Sequence, residues 1–320
     1  MKKPILLLLS IFTLLIFPGT KTYAQTKISS YEITSESIQN SLNYLASDSL
    51  KGRKTGTPGI EKAADYIESV FEKFGIQPYF ETYRDPFQAK DSIAAFNIVG
   101  VIEGSDPELK NELVILGAHY DHVGIVAPIA GDSIANGAND NAAGTVAILE
   151  IAKHFASKNS KRSIVFALFS AEELGLLGSK HLAKKLKEQQ TDIYTMLNFE
   201  MIGVPLENKS YMAYLTGYNK SNFAEKFNEY TGKEVFGFLP QAKKYKLFFR
   251  SDNYPFFDTF GIPAQTLCTF DFTNYPYYHH VDDEAKLMNV EHMKNLILAV
   301  IPGIEKMANT AEKEIVMNEK

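Results

Sequence analysis

Five short segments of this chain each place acidic or imidazole side chains at the end of an apolar run. They are Gly117-Ala118-His119-Tyr120-Asp121, Gly137-Ala138-Asn139-Asp140-Asn141, Ala171-Glu172-Glu173, Asn198-Phe199-Glu200 and Tyr278-His279-His280-Val281-Asp282-Asp283. Most of them follow a β-like stretch. Strands with apolar bodies and charged tips bury the first and keep the second usable when the tips gather at one edge of a common sheet. The recurring pattern therefore points to one site built at the end of a sheet.

The strands predicted from apolar runs are Phe96–Ile102, Leu113–Gly117, Ser163–Phe169 and Met196–Glu200. Near-continuous Val, Ile and Leu in the central ones imply a sheet covered on both faces. Helical spacing predicts helices at Ser35–Ala46, from Pro58 to a stop at Gly75, and at Ala142–Phe155, Gly175–Leu186 and Asn222–Tyr230. A last helix runs from about Asn289 to Met307, with Pro302-Gly303 as a point for a kink. Thr57-Pro58 offers an N-cap and a proline at the first helical position. Alternating strands and helices give an α/β fold, a three-layer α/β/α sandwich with a central mixed, largely parallel sheet. Ligands in such folds collect at the carboxyl ends of the strands.

The ends of the chain carry a different message. Lys2 and Lys3 precede an apolar run from Ile5 to Phe17, and Thr22-Tyr23-Ala24 supplies a small-x-small cleavage site before Gln25. This is the pattern of a secretory signal peptide over residues 1–24, too short in its apolar part for the ~20 residues of a spanning helix. Residues 25–320 then form a single domain with no inserted one, exported to the periplasm or the medium, with no stable membrane insertion after cleavage. No cysteine lies near the cleavage site to accept a lipid, and Cys268, the only cysteine, excludes an internal disulfide. The chain has 33 Lys and Arg against 38 Asp and Glu, and removing a leader with three lysines makes it more acidic. That balance excludes a nucleic-acid partner of the usual basic kind. Stability rests on the core, which 45% hydrophobic residues can supply.

Together the five segments hold imidazoles, several carboxylates and a spare carboxylate, the inventory of a two-metal hydrolytic site. His119 ends a buried strand, and Asp121, two residues on, points the same way, placed to accept a hydrogen bond from the ring nitrogen not given to a metal. Asp140 sits before the helix near Ala142, where it serves either as an N-cap or as a carboxylate bridging two cations. Glu172 and Glu173 are adjacent at the mouth of a strand, where two charges are costly unless a metal or a proton neutralises them. One can ligate while the other acts as general base. Glu200 offers a further carboxylate, and either His279 or His280 can ligate. His122, His154, His181 and His292 read as surface or structural, and Lys243, Lys244 and Lys246 as a solvated loop.

This set resembles the secreted zinc aminopeptidases with a dinuclear centre, bacterial leucine-type aminopeptidases among them, a family related to the glutaminyl cyclases. The resemblance spans nearly the whole chain after residue 24, from Ala46–Arg53 and Gly56–Gly59 through Ser251-Asp252, Gly261-Ile262-Pro263 and the His279 loop. It implies two zinc ions, with Asp140 bridging, His119 and Glu200 on one, and Glu173 and His279 on the other. It makes Glu172 the general acid/base acting on a metal-bridging water, Asp121 the group orienting His119, and Tyr278 an oxyanion stabiliser. His279 is preferred to His280 because the family's Asp stands four positions after the ligand, here Asp283. Two departures fall on the N-terminal pocket: Glu200 stands where many members have Asp, and Asn253 where many have His. The implied substrates are peptides with a free N-terminus. A glutaminyl cyclase, or a non-enzymatic receptor-like member of the fold, is the alternative, and both lose part of the ligand set or the base.

Overall fold

The computed structural model describes residues 30–319, so the signal-peptide segment 1–24 lies outside the described residues. The helices are α1 Ser35–Leu45, α2 Pro58–Lys73, α3 Ala143–Phe155, α4 Leu177–Glu188, α5 Phe223–Thr231, α6 Pro240–Lys244, α7 Asn253–Phe260 and α8 Val290–Asn309. The strands are β1 Gln77–Pro78, β2 Arg84–Gln88, β3 Ala94–Ile102, β4 Glu112–His119, β5 Gly124–Ile129, β6 Asp132–Ala135, β7 Ser163–Phe169, β8 Asp192–Glu200, β9 Ala213–Leu215, β10 Phe236–Gly237 and β11 Ala264–Cys268.

Nine strands make one mixed sheet in the order β1-β3-β7-β4-β8-β11-β9-β10, with β2 paired to β3. Its centre is parallel, since β7, β4, β8 and β11 run the same way. Antiparallel partners flank it, β3 on β7 and β9 on β11. The period of two in the strands divides the core cleanly. Val114, Leu116, Ile164, Phe166 and Leu168 face one apolar layer together with α1, α2, α3, α5 and α8. Ile115, Val165, Ala167 and Phe169 face the other, against Leu182 and Leu186 of α4 and Phe256 of α7. This is the three-layer sandwich with a largely parallel centre. Side chains buried on both faces explain why β4 and β7 read as unbroken apolar runs.

Local details bear on the sequence reading in three places. Thr57 stands at the N-cap position of α2, but its hydroxyl donates to the Lys54 carbonyl at 2.7 Å and caps nothing. Pro302 sits inside α8, which continues as one helix from Val290 to Asn309. Asp140 is not an N-cap: it lies in the turn 138–142, and Asn141 Oδ1 instead accepts from Gly144 N at 3.1 Å. No helix among the described residues is long and apolar enough to cross a membrane.

Candidate metal centre

The parallel strands β4, β7 and β8 end side by side, and each delivers a functional group at or just past its last residue. His119 is the last residue of β4, Glu172 and Glu173 follow the end of β7 at Phe169, and Glu200 closes β8. Asp140 enters from the turn before α3, and His279 from the loop before α8.

His119 is fully buried. Its Nε2 stands 3.3 Å from Asp140 Oδ1 and 3.4 Å from Glu200 Oε1, yet makes no hydrogen bond. Its Nδ1 faces the Asp121 main-chain carbonyl at 3.1 Å, while the Asp121 carboxylate is 3.7 Å away. The backbone oxygen thus takes the part that the sequence reading gave to the side chain. A carbonyl can only accept, so Nδ1 carries a proton, and in the neutral ring Nε2 is the nitrogen left to ligate a metal. The Asp121 carboxylate is committed elsewhere: one oxygen accepts from Glu172 N and the other from the Thr55 hydroxyl, both at 3.1 Å. Asp121 therefore fixes the turn that carries Glu172.

Asp140 faces two ways. Oδ1 looks to His119, and Oδ2 lies 3.2 Å from His279 Nε2 and 3.7 Å from His122 Nδ1. Burial opposes its charge, but His119 and His279 hold the carboxyl well below the usual range. Glu173 binds the same second group, 3.0 Å from His122 Nδ1 and 3.1 Å from His279 Nε2. Two sets of donor atoms result, His119 with Asp140 and Glu200, and His122 with Asp140, Glu173 and His279, each within 4.8 Å of one another. Burial works against a charged His279, yet Asp140 and Glu173 raise its imidazole to about 10. Burial likewise opposes charge on His119, and the surrounding carboxylates, Glu172 and Asp121 first among them, raise it well above its ordinary value. Imidazoles drawn this strongly towards carboxylates occupy the place of cations. The donor set of His nitrogen and carboxylate oxygen, with an orphaned buried His119 Nε2 aimed between two carboxylates, fits zinc.

His122 corrects the surface part of the sequence reading. It is fully buried and packs edge-to-face on His279 with ring centroids 5.5 Å apart. Its one sequence signal was its place three residues after His119. His154, His181 and His292 lie away from the cluster: His154 faces Glu305 at 3.8 Å, His181 faces Asp85 at 3.3 Å, and burial lowers His292 to about 4. His280 turns aside, its Nδ1 accepting from Asp282 N at 3.1 Å.

The turns that hold these ligands are braced by groups whose work the sequence did not disclose. Asp283 accepts from Asn139 N at 2.8 Å and Asp140 N at 3.0 Å, and the Tyr275 hydroxyl donates to it at 2.6 Å. Arg53 is buried, and burial lowers it to about 10. Its guanidinium donates to four carbonyls, those of Leu45, Tyr120, Asn136 and Gly137, at 2.5–2.9 Å. Gly137 has a φ of 61°, and a Cβ there would lie 2.5 Å from the His122 ring. The Glu200 carboxylate accepts from the Ser251 hydroxyl, which joins Asn198 and Thr266 in a buried network.

A cleft opens over the cluster. Asp140, Glu172 and Glu200 line it, and Met201, Tyr214, Phe270 and Tyr278 add apolar and aromatic walls. Burial pushes the Glu172 carboxyl well above its ordinary range, and the charges of Glu200, Asp252 and Glu173 add to it, against His119. Burial also raises the Tyr278 phenol, whose ring stacks on His279 at 3.9 Å. Asp252 is buried behind the cleft and raised to about 7 by burial, neither oxygen in a well-formed hydrogen bond.

Known proteins resemble this chain. A probable zinc metalloprotease of Pyrenophora teres f. teres is 30% identical over 188 residues, covering 54% of this chain and 38% of the relative. A probable leucine aminopeptidase of Trichophyton verrucosum is 25% identical over 290 residues, covering 87% of this chain and 72% of the relative. The chain spans about two fifths of the length of the first curated relatives it matches. Among solved structures, the LapA aminopeptidase of Legionella pneumophila superposes with a TM-score of 0.68 at 24% identity, over 88% of this chain and 73% of that one, and so shares the fold. Residues 97–302, which run from β3 into α8 and include the whole cluster, match peptidase family M28, and the chain belongs to that family.

Proposed function

We propose that this protein is an exported zinc aminopeptidase that removes the first residue from peptides, using two zinc ions. The observation that carries the reading is Asp140, whose two carboxylate oxygens face two separate His and carboxylate groups beside a half-buried, spare Glu172. His119 and Glu200 would hold one ion and Glu173 and His279 the other, with Asp140 shared and His122 packed behind the second. Zinc bound there would supply Lewis-acid polarisation of the scissile carbonyl and a water acidified towards neutral pH.

The chain's own residues do the rest. Glu172 takes the proton of the attacking water and delivers it to the leaving amine, a task suited to a carboxyl that burial disposes to hold a proton. Asp121 keeps Glu172 in place through its backbone N–H. Tyr278, at the cleft wall, offers a hydroxyl to the developing oxyanion. Glu200 and Glu172 present carboxylates to the substrate α-ammonium, which gains charge-assisted hydrogen bonds that an acylated terminus cannot make. Retention of both ligand groups and of Glu172 favours hydrolysis over cyclase chemistry. The N-terminal leader pattern supports export to the periplasm or medium.

The test is one peptide in two forms, with a free and an N-acetylated terminus, followed by mass spectrometry. Loss of the first residue from the free form alone is expected. Equal cleavage of the acetylated form overturns the aminopeptidase reading in favour of an endopeptidase or carboxypeptidase.

A further inference from the structure

The cleft has a second pole. Arg250 lines it together with the three carboxylates, directly before Ser251, whose hydroxyl holds Glu200. The Arg250 guanidinium is exposed, and among the described residues no carboxylate lies within ion-pair distance of it. It is also the end of a cationic stretch on an acidic chain. Lys243, Lys244 and Lys246 precede it, none in an ion pair among the described residues, and no Asp or Glu occurs between Glu234 and Asp252. Lys220 faces the same segment, its Nζ 4.8 Å from the Phe248 ring centroid. Lys243, Lys246 and Lys220 line an adjoining hollow with Phe248 and Phe249.

We infer that Arg250 is a specificity-determining residue that selects peptides whose first residue is aspartate or glutamate. The inference rests on the aminopeptidase reading and names its substrate class. Such a residue carries an ammonium and a carboxylate a few ångströms apart, and the cleft carries the complementary pair. Glu200 and Arg250 line the same cleft, and Arg250 directly precedes Ser251, whose hydroxyl donates to Glu200. The aromatic walls at Tyr214 and Phe270 take the methylenes between them. Arg250 is always charged and presents a planar fork that matches a carboxylate in two hydrogen bonds. The lysines next to it raise the local concentration of anionic substrate, an effect that salt screens. Lys243, Lys244 and Lys246, read from sequence as a solvated loop, thereby gain a role.

The test compares glutamyl and glutaminyl p-nitroanilides, which differ by one charge at almost constant shape, on the zinc-loaded protein. Wild type is expected to favour the glutamyl substrate in kcat/KM. Arg250→Ala and Arg250→Gln should each lower the glutamyl-to-glutaminyl ratio by roughly tenfold or more, the size of a lost charge-assisted hydrogen bond, and Arg250→Lys should restore part of it. An unchanged ratio in correctly folded, metal-replete variants overturns the inference and leaves the aminopeptidase reading standing. A dipeptide with a free C-terminus outrunning its C-terminal amide, with that advantage lost in Arg250→Ala and the anilide ratio unmoved, also overturns it, since Arg250 then binds the far carboxylate. Turnover of no N-terminal anilide at all removes the aminopeptidase reading itself.

Discussion

At His279 the chain takes a φ of 57°, a left-handed conformation that few residues other than glycine accept, and so turns one imidazole inward and the next outward. That single backbone choice separates two adjacent histidines which sequence alone leaves equivalent. His279→Ala is expected to lose one metal and nearly all activity, whereas His280→Ala keeps both metals. Metal analysis of the two purified variants checks it, and loss of metal from His280→Ala would shift the whole loop by one residue and take the role of Tyr278 with it. Other residue-scale features were plain in the sequence. Glu172 and Glu173 as neighbours at a strand mouth announced an uncompensated charge, and His119 at the end of a buried strand announced a directed imidazole. The commitments of Asp121 and the burial of His122 were not legible. Both depend on Thr55, Glu172 and Glu173, which are distant in sequence and adjacent only in the fold.

Among the elements, long and fully buried ones declared themselves, and short or edge ones did not. β4 and β7 read correctly because two-sided burial makes an apolar run, and α2 because Ile60, Ala63, Ile67 and Phe71 share a face. β9 and β10, three and two residues long, are strands only because β11 and each other complete their hydrogen bonds. The hairpin of β5 and β6 turns on Ala130 and Gly131, both at positive φ, and the alanine gives no sequence signal of it. α7 is short and crowded with aromatics, which are weak helix formers, and tertiary packing of Phe256 decides it. The loop 46–57 carries the heaviest duty of any irregular segment, because Arg53 staples the ends of β4, α1 and the Asp140 turn. Arg53→Ala leaves four buried carbonyls without their donor. It is expected to destabilise the fold by several kcal/mol, at about 1–3 kcal/mol for each buried carbonyl left unsatisfied. Urea unfolding measures it, and a change below about 1 kcal/mol would mean the turns stand without the staple.

For the whole molecule, the crowding of Asp140, Glu172, Glu173 and Glu200 at one sheet edge is unfavourable in a buried site unless cations neutralise it. Two zinc ions per chain are therefore expected on reconstitution. Because they bind only the assembled site, chelation should lower the thermal midpoint and zinc restore it. Elemental analysis beside a thermal scan checks both, and one tight ion per chain would turn the reading towards cyclase-like chemistry. The sequence by itself determined the layer architecture, the parallel centre and the identity of most charged groups at the strand ends, because burial on two faces and charge at a tip leave a local trace in residue type. Only the tertiary structure decided which atoms of those groups face one another: that Asp140 looks both ways, that Asp283 and Arg53 hold its turn, that His122 is buried beside His279, and that Arg250 lines the same cleft as the carboxylates. Those relations join segments up to 144 residues apart, and no local pattern records a distance across the fold.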